Sequence, residues 1–300
     1  MTVGGVPATD VVVESPSAIS AKTGAAAVGA ADVVVTVEGR TGTLPGGFTY
    51  RPVSGEPPVV MSIAARGQMP NEPLRFAELG EELTVTATVQ DADSSPEQLV
   101  FQWSADGGKF SETGAAVKWT APSDAPTPSL FTLSLTVSDT TGNSTSSSTT
   151  VAVHNSAKEV GDLAREFLLD FSDSSKPPAF VVRNFSKSPR CEAERDDEFI
   201  QIDRNRHDYH IDASNIGNAT VNFQFGGRPC SYESRSGDAC AAVPSSWQST
   251  CLSGATECRP GEKASTSGID YVTASYEGND WRLCASYFKS DGTARPSFIR

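Results

Sequence analysis

This chain lacks most of the signatures by which a sequence announces catalysis or nucleic-acid binding. Its 300 residues hold no apolar run of about 18, the length a helix needs to cross a bilayer. Basic residues are the minority, 24 against 37 acidic ones, for a formal charge of −13. Phosphate neutralisation needs clustered Lys and Arg, so this balance argues against nucleic acid and anionic lipid as partners. Histidine occurs only three times. There is no Gly-x-Ser-x-Gly elbow, no phosphate-binding loop and no dinucleotide fingerprint. Cysteine is missing before Cys191, and no Cys-x-x-Cys pair occurs at zinc-finger spacing. Met1-Thr2-Val3-Gly4 has neither the basic start nor the apolar stretch of an export signal.

What is present is enough to build packed cores: 38% hydrophobic residues, 20% charged and 8% aromatic. The length suits two or three domains, and composition divides the chain in three. Residues 1–53 are rich in Val, Ala, Gly and Thr. Residues 57–154 alternate Thr and Ser with aliphatics and carry four basic against eleven acidic residues. Residues 156–300 hold 17 basic and 21 acidic residues and all six cysteines. Pro52-Val53-Ser54-Gly55-Glu56-Pro57-Pro58 reads as a linker, and the second boundary falls at His154-Asn155-Ser156.

In the first segment, Asp10–Glu14, Ala18–Lys22 and Asp32–Val37 are β-branched runs separated by turn residues. Through Gly4-Gly5-Val6-Pro7-Ala8-Thr9, Ser15-Pro16-Ser17-Ala18-Ile19 and Gly42-Thr43-Leu44-Pro45-Gly46-Gly47-Phe48-Thr49-Tyr50, the segment resembles the IPT/TIG immunoglobulin-like family. The resemblance covers about the last two-thirds of such a domain, so its opening strands should precede Met1. In the second segment Leu83, Val85, Ala87 and Val89 alternate with threonines, and Phe131, Leu133, Leu135 and Val137 with Thr and Ser. That period buries one face and wets the other, as in a sandwich. Gln102-Trp103-Ser104-Ala105-Asp106-Gly107-Gly108, Trp119-Thr120-Ala121-Pro122 and Leu135-Thr136-Val137-Ser138-Asp139 resemble PKD-like bacterial Ig-like domains.

The third segment opens with Ser156-Ala157-Lys158-Glu159, which predicts a capping box with Ser156 as the cap. Val160, Leu163, Ala164, Phe167, Leu168 and Phe171 follow at helical spacing, so the helix should end near Asp173. Strands are expected at 179–182, 219–225, 271–276 and 281–287, the last two joined by a Glu277-Gly278-Asn279-Asp280 hairpin turn. The expected fold class is therefore mainly β: two Ig-like sandwiches, the first incomplete, then a disulfide-containing α+β domain. The Tyr-Glu-Gly-Asn-Asp-Trp ending resembles the SnoaL-like, cystatin-related curved-sheet fold, which implies a concave face able to bind a small molecule.

Four sets of residues could carry chemistry. Cys191, Cys230, Cys240, Cys251, Cys258 and Cys284 suggest three disulfides and an oxidising compartment, with 230–240 and 251–258 as the natural local bridges. Asp91, Asp93 and Asp139 follow two strands that should end at one pole, where they could bind a structural Ca²⁺. The simpler reading makes them turn residues. Trp247, Trp281 and Tyr287 could stack on a sugar or fill a core. His207 and His210 stand beside Asp208 and Asp212, in a stretch that otherwise reads as a solvated charged surface. No residue set is expected to be catalytic and no organic cofactor is implied. The resulting expectation is an exported or surface-attached bacterial binding or adhesion protein. Its Ig-like modules would act as spacers presenting the last domain to a cell-surface protein or polysaccharide. The alternative is an accessory region of an extracellular hydrolase.

Overall fold

The computed structural model describes residues 1–51, 55–230, 237–252 and 258–291. The chain is mainly β, as its alternation predicts. In the first segment, β1 (Thr2–Val3), β2 (Val6–Pro7), β5 (Gly29–Val37) and β6 (Arg40–Tyr50) form a sheet of order β2-β1-β5-β6. A separate hairpin pairs β3 (Thr9–Ser15) with β4 (Ala18–Lys22). This sandwich is incomplete. Of its described apolar side chains only Val3 is buried, while Val12, Val13, Val28 and Leu44 are each more than half exposed. A β-branched face of that kind normally lies against a second sheet.

The second segment closes properly. One sheet runs β10 (Val100–Ala105), β13 (Ser129–Ser138), β14 (Ser144–His154), β8 (Phe76–Glu78). The other runs β11 (Lys109–Phe110), β12 (Ala116–Thr120), β9 (Glu82–Gln90), β7 (Val59–Arg66). Leu83, Val85, Trp119, Leu133 and Val151 meet between them in a core closed to water. The Trp119 indole N–H, which burial would otherwise strand, donates to the Gly107 carbonyl at 3.1 Å.

The third segment is α+β. Helices α1 (Ser156–Ser172), α2 (Pro178–Val181) and α3 (Glu192–Asp208) pack against an antiparallel sheet of order β15 (Tyr209–Ile216), β17 (Ala239–Cys251), β18 (Lys263–Glu277), β19 (Asp280–Ser290). A further strand, β16 (Thr220–Phe223), pairs with the start of β17. β15 and β16 thus share one edge of β17 and leave a gap between them, and Pro244 falls in that gap. Its carbonyl faces the gap, accepting from the Gly217 N–H, so its missing N–H removes no ladder bond there. The hairpin turn lies where the sequence predicts, with Gly278 and Asn279 both at positive φ.

Two local readings need correction. The run Ala179–Val182 is not a strand: Pro178 starts the short helix α2, whose Val181 is buried in the third-domain core. The cap of α1 is Asn155, not Ser156: Asn155 Oδ1 accepts from the Lys158 N–H, while Glu159 reaches back to the Asn155 N–H. Ser156 is unavailable as a cap because its hydroxyl donates to Glu78 and accepts from the Trp281 indole at 3.0 Å.

That bond belongs to a larger joint. The expected boundary at 154–156 is not a loose linker, for His154 and Ser156 are both fully buried. Phe76, from the sandwich strand β8, lies in the third-domain core against Phe225 and Tyr276. His154 stacks on Phe76 with centroids 5.2 Å apart. Its two ring nitrogens reach Glu159 Oε2 at 2.7 Å and the Tyr276 hydroxyl at 3.1 Å. The sandwich thus lends Phe76 to the third-domain core, while its own core remains a separate cluster.

Candidate functional site

The third-domain sheet and helices α1 and α3 line a cavity of about 250 Å³. Helix α1 sends Leu168 and Phe171 into its wall, as the helical spacing requires once Phe167 and Val160 face the core. Helix α3 adds Asp197, Gln201 and Asn205, which recur every four residues on one face, with Glu198 beside them. The sheet supplies Ile211, Trp247 and Asp270 from three strands, and Ser286, Tyr287 and Phe288 from β19. The Cys191–Cys284 bridge ties the N-terminus of α3 to β19, and a 2.8 Å hydrogen bond from the Ser286 hydroxyl to Glu198 Oε2 repeats that tie inside the wall.

Asp270 is the unusual member. It sits at an inward position of β18, on the same parity as the buried Val272 and Ala274, and is itself only 6% exposed. Its Oδ2 accepts from the Ser245 hydroxyl at 2.6 Å and from the Trp247 indole at 3.1 Å. Oδ1 has no hydrogen-bond partner among the described residues. Burial pushes the carboxyl up to about 6, outweighing the two hydrogen bonds that favour its charged form. Among the described lining residues there are three carboxylates and no Lys, Arg or His. The arrangement offers a buried acceptor, aromatic and aliphatic walls, and a net negative rim.

A second cluster lies at the pole of the middle sandwich. Ligand-capable oxygens of Asp91, Asp93 and Asp139 all lie within 4.8 Å of one another, so the expected convergence is present. Asp139 Oδ1 accepts from the Thr141 and Asn143 N–H groups and the Thr141 hydroxyl. Asn143 in turn donates to the Gly55 carbonyl at 2.8 Å and so fastens the incoming linker. Asp91 Oδ1 accepts from the N–H groups of Asp93 and Ser94, while its buried Oδ2 has no partner. The hydrogen bond with Asp91 and its negative charge hold the Asp93 carboxyl above the usual range. Asp91 and Asp139 thus each serve their own turn, and a divalent cation could occupy the space between the three aspartates.

The other singled-out residues disperse. Trp247 and Tyr287 line the cavity, Trp247 with 4% of its surface exposed. Trp281, 1% exposed, fills the joint between sandwich and third domain. The cysteines pair as 191–284, 230–240 and 251–258. His207 ends α3 while His210 lies on β15, and each faces its own aspartate, at 3.5 and 3.2 Å. Asp270 and Ser245 escaped the sequence reading. The signal was there: Asp270 interrupts an otherwise uncharged stretch of strand, 264–276, at an inward position.

No protein-family model and no curated protein matches this chain. Among solved structures it shows a distant likeness to an Ntf2-like protein involved in plasmid conjugation. That match has 9% identity and a TM-score of 0.23, over 79% of this chain and 80% of that one.

Proposed function

We propose that this chain is an exported or surface-attached binding protein whose Ig-like modules carry a C-terminal domain that receives a small ligand. The observation that supports it is the cavity of about 250 Å³ under α1 and α3, walled by both polar side chains and the rings of Phe171, Trp247 and Phe288, and furnished with one buried, half-satisfied carboxyl on Asp270. An engineered cavity of about 150 Å³ accepts benzene, so this one has room for a ring bearing a short side chain. A polymer laid across stacking aromatics fits less well, since Trp247 and Trp281 turn almost none of their surface outward. Three disulfides suit an oxidising compartment, and among the described residues no helix is long and apolar enough to cross a membrane. The buried joint at Phe76, His154 and Ser156 suits a spacer that holds the binding domain in fixed orientation. The test is ligand-observed NMR with a panel of single-ring fragments, on the wild type and on Gln201→Trp, which fills the cavity from the partly exposed face of α3. Fragments bound by the wild type and lost from a folded Gln201→Trp support the reading. Binding that survives the substitution, or no binding at millimolar fragment, overturns it.

A further inference from the structure

Resting on that reading, we propose that the cavity selects an organic ammonium ion: an amine with one aromatic or short aliphatic body, its N–H directed at Asp270 Oδ1. Three observations carry this. The first is charge: Asp270, Asp197 and Glu198 line the cavity, and no described cationic residue lines it with them. Burying a carboxylate without a counter-ion is costly, and a ligand cation removes that cost where a neutral hydroxyl only fills a hydrogen bond. The second is the free oxygen. Oδ2 is fixed by Ser245 and Trp247, which leaves Oδ1 of this lining residue oriented and without a hydrogen-bond partner among the described residues. A carboxylate held in this way is prearranged to accept from an ammonium N–H at no rotamer cost to the protein. The third is the wall. Trp247 and Phe171 meet edge to face with centroids 5.6 Å apart, and Tyr287 and Phe288 follow on β19. Aromatic faces beside a carboxylate attract a cation and its apolar body together. An anionic ligand meets the like charge of Asp270, and a ligand without charge leaves Asp270 without a cation among the described lining residues.

The experiment compares three probes with the same body, phenethylamine, phenethyl alcohol and 3-phenylpropanoate, by calorimetry on the full chain at neutral pH. The amine is expected to bind at least about tenfold more tightly than the alcohol, a difference of about 1.4 kcal/mol, with the carboxylate weakest. In Asp270→Asn, which keeps an acceptor for Ser245 and Trp247, the amine should lose that advantage while the alcohol is unchanged. Far-UV circular dichroism and the melting temperature establish that the variant is folded. Equal affinity for alcohol and amine overturns the ammonium assignment and leaves the cavity a ligand site. A preference for the carboxylate overturns it likewise. If none of the three binds but neutral fragments still bind in the Gln201→Trp comparison, the assignment alone fails; if those also fail, both readings fall.

Discussion

At the scale of single residues, Asp270 carries a cost that depends on pH. Its carboxyl titrates at about 6 in the folded chain against an ordinary value of 3.8. The native state therefore binds the proton more tightly than the unfolded one. Stability from this group is full below pH 4, declines as pH climbs through 6, and stays lower beyond, by about 3 kcal/mol in order of magnitude. Asp270→Asn should melt at or above the wild-type temperature at pH 7.5 and lack the wild type's decline between pH 5 and 7.5. Thermal melts at the two pH values check this, and an equal decline in both proteins rules it out. Asp170 is the opposite case. It is buried too, which pushes its carboxyl up, but hydrogen bonds from Lys176 and Arg183 prevail and hold it below the usual carboxylate range. Sequence shows both as acids among apolar neighbours. Only the fold reveals which of them has cations beside it, because Arg183 reaches Asp170 from 13 residues away.

At the scale of elements, helix α3 depends on what ties it down. Its seventeen residues bury only Ile202, and its outer face is strongly charged. An amphipathic pattern so weak reads as surface, which is why 192–208 was not legible as a helix. The Cys191–Cys284 bridge and the Ser286–Glu198 bond hold it over the cavity instead. Replacing both cysteines by alanine is expected to cost about 2–5 kcal/mol in denaturant unfolding and to weaken fragment binding more than loss of the 251–258 bridge does. Strand β17 was hidden for another reason. Its inward positions alternate regularly, yet apart from Val243 they are filled by Ala, Ser, Cys and one Trp rather than by branched aliphatics. β9 and β13 were plain because their inward residues are Leu and Val. The loop after β13 is fastened by Asp139, so Asp139→Ala should lower stability by about 1–3 kcal/mol by leaving the turn N–H groups unpaired. With Asp91 and Asp139 already serving turns, millimolar Ca²⁺ is expected to move the melting temperature by less than about a degree. A rise of several degrees, reversed by chelator, would instead make Asp91, Asp93 and Asp139 a metal site.

At the scale of the whole molecule, the middle sandwich and the third domain are packed against each other at a buried joint. Phe76 is contributed by one and buried by the other, and Phe76→Ala should cost about 3–5 kcal/mol. Because Phe76 carries strand β8 of the sandwich into the third-domain core, calorimetry should show a single transition spanning both in the wild type. Two separate transitions would refute the joint. The change from period two to a helical period marks where strand β14 gives way to helix α1. It could not show that the boundary was packed, since Phe76 lies 80 residues before Ser156 and nothing local marks it as a partner of Tyr276.

The indole of Trp281 sets a practical limit on how the protein can be cut. It is 1% exposed and its N–H ends on Ser156, with Phe225 stacked 5.9 Å away. A fragment starting at Ser156 would keep every cystine and every cavity residue yet lose Phe76 and His154, leaving that ring cluster open to solvent. Such a fragment should be sticky and prone to self-association, and expression of the C-terminal half ought to begin upstream of the strand that delivers Phe76.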